Sequence, residues 1–113
     1  MTQRQERQLK KLISTLERMS DDEKFKMRLL RQQKSELEQQ QQKNTARQKE
    51  LAEITPSPFD TGFLLRIREG LLLNAENLEF QKSEIDFSIE SQRVKLTEHL
   101  RAETVLKSIA KNR

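Results

Sequence analysis

The sequence predicts an all-α protein, a long antiparallel two-helix coiled-coil hairpin spanning residues 1–113 as one domain. Three observations lead there. Apolar residues return every seven positions in both halves of the chain. Both prolines and one of the two glycines fall together in the middle. Charged residues make up 35% of the chain against 33% apolar, too lean a composition for a broad core. A seven-residue period held over many turns implies a left-handed supercoil, and a short central turn lets the second helix pack back on the first.

Helix one is expected over about residues 3–54. Its apolar line is Leu9, Leu16, Glu23, Leu30, Leu37, Asn44 and Leu51, five of the seven being leucine. The expected companion line, three residues on, is Leu12, Met19, Lys26, Gln33, Gln40 and Arg47, which decays into polar residues. No large apolar residue stands between Leu37 and Leu51, and Gln39 to Gln42 form a run that suits a helix but grips a partner weakly. Ser20-Asp21-Asp22-Glu23 has capping-box spacing and offers a break near Met19. The regular leucine spacing argues instead for one continuous rod.

The turn is expected over residues 55–60. Pro56 disfavours helical geometry at Thr55 and so ends helix one near Ile54. Ser57, Pro58 and Asp60 read as the N-cap, first position and acidic third position of helix two, about residues 58–111. The line of helix two is Leu64, Leu71, Leu78, Ile85, Gln92, His99 and Leu106. Its companion line is Ala75, Ile89, Leu96 and Ala110, interrupted by Lys82 and Glu103. Ser83 to Ile89 alternates apolar and polar as a strand would, but it lacks Gly and Pro and keeps the seven-residue period, so helix is the reading.

Composition sets several function classes aside. With no cysteine there is no disulfide framework, thiolate metal site or thiol nucleophile. No apolar run approaches the roughly 18 residues that span a bilayer, and no secretory leader is recognisable. A glycine-rich phosphate loop, a His–carboxylate metal set and a Ser/His pairing are all missing. His99, the one histidine, lies on the heptad line and reads as a seam residue. The expectation is a non-enzymatic cytoplasmic protein without cofactor or metal.

Two features are candidates for binding a partner. Leu73, Phe80, Phe87 and Val94 form a second line of period seven, two positions after the main line of helix two. Two positions on a helix is about 200°, so this line points almost opposite the seam. It reads as a dimer or four-helix-bundle contact, as the true seam displaced, or as a docking strip for another protein. Near the start, Arg4, Arg7, Lys10 and Lys11 form a basic cluster ahead of the leucines. The net charge of +4 lies wholly in the first half, where 13 Lys/Arg face 9 Asp/Glu in residues 1–53. That order resembles the basic-region-then-zipper arrangement of some DNA-binding helices. The cluster is short and diluted by Glu6 and Glu17, so a solvated face that favours acidic partners is the better reading and nucleic acid ranks last.

The opening of helix two, Phe59-Asp60-Thr61-Gly62-Phe63-Leu64 through Arg68-Glu69-Gly70-Leu71, resembles that of short members of the FliJ/YscO family of flagellar and type III secretion export proteins. The charged, Gln-rich, cysteine-free hairpin is similar to that family over its whole length. The resemblance implies a central stalk of a protein export apparatus, whose paired ends enter and stimulate a hexameric export ATPase. It also implies contacts with the export gate and substrate chaperones, and through them an association with the inner membrane. Carried onto this chain, the paired ends are roughly Arg4 to Leu16 and His99 to Arg113. The alternative is a self-associating scaffold, a homodimer of hairpins.

Overall fold

The computed structural model describes residues 2–55 and 57–112. They form two α-helices of 51 residues each, α1 (Gln3–Glu53) and α2 (Thr61–Lys111), which pack as an antiparallel hairpin. The described residues contain no strand, and the alternating stretch Ser83 to Ile89 is helical. No described helix is long and apolar enough to cross a membrane.

Local chemistry sets the ends of the helices. Thr2 and Gln5 cap α1 reciprocally: the Gln5 amide donates to Thr2 Oγ1 at 3.2 Å, and the Thr2 amide donates to Gln5 Oε1 at 2.9 Å. That is a capping box, and it satisfies two amides that a helix start otherwise leaves without partners. At the other end the Ile54 amide donates to the Leu51 carbonyl at 3.2 Å, a three-residue bond that tightens the last turn. Pro56, to which the sequence assigns the end of the helix, lies outside the described residues, as do Met1 and Arg113.

Helix two begins three residues later than its sequence suggests. Ser57 to Asp60 is a turn closed by the Asp60 amide donating to the Ser57 carbonyl at 3.0 Å. Ser57 Oγ donates to the Asp60 carboxylate at 2.6 Å, which draws both side chains into the turn. The Asp60 carbonyl then accepts the first four-residue bond, from Leu64 at 2.9 Å. Asp60, rather than Ser57, therefore occupies the cap position.

Helix α1 runs unbroken through Ser20 to Glu23. The residues of the apparent capping box serve another purpose: Ser20 and Glu23 are buried in the contact with α2, at 2% and 8% exposure. Glu23 lies on the main line where its spacing puts it, and Ser20 joins it because the companion line of α1 is displaced by one residue from the expected one. Leu12 and Met19 stay exposed, while Ile13, Ser20, Met27, Lys34, Gln41 and Gln48 turn inward beside the Leu9 line. Either neighbour, three or four residues on, can complete a heptad. The line actually used keeps Lys26 and Arg47 in water and buries Met27. On α2 the expected companion line is the observed one, with Ala75, Ile89 and Leu96 half-buried and Ala110 exposed.

The chain divides into two units, one reaching Arg31 on α1 and starting at Ser88 on α2, the other running from Gln32 to Phe87. In the terminal unit Leu9, Met27, Ser20, Glu23 and Gln92 are buried. There Glu17 pairs with Lys107 at 3.0 Å and Ser20 Oγ donates to Glu103 at 3.2 Å. In the turn-bearing unit Leu37, Leu78 and Asn44 are buried. Its cross-helix ties are Lys34–Asp86 at 2.6 Å, Glu38–Lys82 at 3.9 Å and Gln41 Nε2 donating to Glu79 at 2.9 Å. Partners on α2 fall in number as those on α1 rise, as the antiparallel arrangement requires.

Gly70 sits inside α2 with ordinary helical geometry, and a Cβ added there meets nothing within 4 Å. Gly70→Ala should therefore stabilise the hairpin by about 1 kcal/mol, since alanine is the better helix former by that amount. Chemical denaturation followed by circular dichroism measures it. An unchanged or lower midpoint would contradict a regular α2 at this point.

Candidate interaction surfaces

The seam holds the buried polar groups of the described residues. Asn44, 3% exposed, donates through Nδ2 to the Leu71 carbonyl at 2.9 Å and accepts a bond from Gln48. An amide satisfied in this way fixes the register of two helices, since a slip would orphan it. In the terminal unit the polar residues are less well served. Glu23 Oε2, Gln92 Nε2 and His99 Nδ1 are buried without a hydrogen-bond partner among the described residues. The Ser20–Glu103 contact sets the register there, and one further step along the seam brings Glu23 and His99 to the same level. His99 thus occupies the seam position its spacing gives it. No group of three or more His, Cys, Asp or Glu capable of holding a metal occurs among the described residues.

At the rim of the same unit, Lys107 bridges Glu103 at 2.8 Å and Glu17 at 3.0 Å. The hydrogen bond from Lys107 holds the Glu103 carboxyl below its ordinary 4.5, against the opposing effect of burial, with the Lys107 charge and the Ser20 hydroxyl helping. The Lys107 amine is raised above its usual 10.5, first by the bond to Glu103 and then by that to Glu17. In the turn-bearing unit the contact with Asp86 raises Lys34 in the same way.

The outside of α2 carries the apolar line that the sequence singles out. Leu73, Phe80 and Phe87 belong to the turn-bearing unit and are 66%, 63% and 76% exposed. Val94 continues the line in the terminal unit, also exposed. The seam of α2 is occupied by other residues, so the reading of this line as a displaced seam is excluded. Of the basic cluster, Arg4, Arg7, Lys10 and Lys11 are all exposed and form no ion pair among the described residues. Arg4 and Lys11 stand seven apart and share one outward row with Arg18.

Two surfaces escape the period-seven reading. A groove of about 550 Å³ opens near the turn, lined by Leu51, Ile54, Leu64, Leu65 and Leu72 together with the polar Gln48 and Arg68. Leu65 and Leu72 follow Leu64 and Leu71 by one residue, and that doubled leucine was the available signal. On α1, Phe25 and Leu29 are exposed away from the seam. They lie four apart among Lys24, Lys26, Arg28 and Arg31, a pattern masked by the stronger heptad beside it.

No family model matches the chain, and neither a curated protein nor a solved structure does.

Glu23→Leu should raise the midpoint of thermal unfolding by an amount equivalent to about 1–3 kcal/mol, because it removes a buried oxygen without a partner and extends the leucine line. A lower midpoint would mean that the contact of Glu23 Oε1 with Lys26 at 3.8 Å outweighs the cost of the partnerless Oε2. The Glu103 carboxyl is depressed in the folded protein, so its contribution to stability is present above the ordinary carboxylate range and is lost as pH falls through the folded value. Thermal melts from pH 7 to pH 3 should therefore show a smaller acid loss for Lys107→Ala than for the parent chain. Parallel curves would exclude this cluster as a source of the acid sensitivity.

Proposed function

We propose that the chain is a non-enzymatic coiled-coil stalk or adaptor of a flagellar or type III protein export apparatus, working in the cytoplasm. The observation that carries the proposal lies in the terminal unit. The Glu17–Lys107 and Ser20–Glu103 contacts set the stretch of α1 around Glu17 and Ser20 beside the last turns of α2, and the first turns of α1 lead into that pairing. A pairing of this kind offers one narrow surface to which both helices contribute. Its α1 side carries Arg4, Arg7, Lys10 and Lys11 free of ion pairs among the described residues, so acidic loops of a ring-shaped partner are its electrostatic complement. The export apparatus as the setting, with its gate and chaperones as further partners, rests on the resemblance to the FliJ/YscO family.

The test adds the purified chain to a hexameric export ATPase and follows ATP hydrolysis. Stimulation should fall at least tenfold on deletion of residues 1–11, and likewise in a variant carrying Arg4→Glu, Arg7→Glu, Lys10→Glu and Lys11→Glu. The second variant keeps the chain length and leaves the seam residue Leu9 in place. Full stimulation by both forms would sink the stalk reading.

A further inference from the structure

The exposed line on α2 has a chemistry of its own. Leu73, Phe80 and Phe87 present their side chains to water, at 66%, 63% and 76% exposure. The residues three and four positions away on the helix are their surface neighbours. These include Glu69, Glu76 and Glu84, and none of them is Lys or Arg. Glu69 and Glu76 form no ion pair among the described residues. The cations of this unit that do pair, Lys34 and Lys82, are spent on cross-helix contacts with Asp86 and Glu38. The result is an apolar strip with period seven and an acidic rim, on a protein whose net charge is +4.

We infer that this strip is the docking site of a basic amphipathic helix from another protein. Such a helix carries apolar residues at heptad spacing with Lys or Arg beside them. The spacing of seven suits another helix packing lengthwise, knobs into holes. The rim selects its charge. A second copy using the same strip would bring Glu69, Glu76 and Glu84 against their own equivalents, a like-charge juxtaposition that disfavours that pairing. An anionic bilayer and a nucleic acid meet the same repulsion. Cations along the partner are attracted by the rim and fix its register, while the aromatic rings supply the contact area.

The inference rests on the reading of the chain as an adaptor, but its test is independent of the chain ends and of ATP hydrolysis. Three labelled 21-residue helical peptides serve as probes for the full chain: one with a leucine line flanked by lysines, one with the lysines changed to glutamates, and one with the leucines changed to glutamines. Fluorescence anisotropy should show binding of the Leu/Lys peptide alone, weakened at least tenfold by Phe80→Gln with Phe87→Gln. Both residues lie outside the seam, and circular dichroism verifies that the variant stays helical. Glu69→Gln with Glu76→Gln should weaken binding several-fold and flatten its dependence on salt. Equal binding by the Phe80/Phe87 variant, binding of the Leu/Glu peptide, or no binding of any peptide would overturn the proposal. So would a mass of two chains for the protein alone that reverts to one in the Phe80/Phe87 variant, since the strip would then belong to a second copy.

Discussion

A hairpin of two helices has no third element to close over its seam, and the rest of this structure follows from that constraint. Each helix can hide only the two lines of residues that face its partner, and even those remain partly wet. Four apolar side chains are buried among the described residues, Leu9, Met27, Leu37 and Leu78, and four polar ones, Ser20, Glu23, Asn44 and Gln92, are buried beside them. Burial of apolar area is therefore a thin source of stability here. The choice among possible registers falls to the polar contacts, which are directional where leucines are not.

The polar residues differ in how well they meet that demand. Asn44 finds a backbone carbonyl on α2 and a glutamine on its own helix, so it both satisfies itself and marks the register. Glu23, Gln92 and His99 each keep a buried atom without a partner among the described residues. Ion pairs along the rim hold the helices by side chains that remain in water, where each contributes little. Such a seam determines which residues meet more firmly than it resists unfolding.

The same constraint leaves the outer faces free to carry recognition. On α1 the outward row Arg4, Lys11 and Arg18 is basic, and on α2 the outward row Leu73, Phe80 and Phe87 is apolar with glutamates around it. The partners proposed for these faces are of opposite character, one acidic and one basic.

The fold was legible in the sequence because period seven, a proline-bearing turn and a lean composition leave few other structures. The α2 seam and the exposure of Phe80 and Phe87 were legible for the same reason, since the angle between residues on one helix is fixed by helical geometry. The companion line of α1 was not. Leu12 and Met19 read as well as Ile13 and Met27, and only the approach of α2 decided that Ser20 and Met27 face inward. The start of α2 at Thr61 was likewise settled by one hydrogen bond, from the Asp60 amide to the Ser57 carbonyl, which turned an apparent helix cap into a turn. The sequence by itself determined which residues recur together along each helix. The tertiary structure decided which of two equivalent lines is buried, because that choice depends on the facing helix and on where Lys26 and Arg47 can reach water.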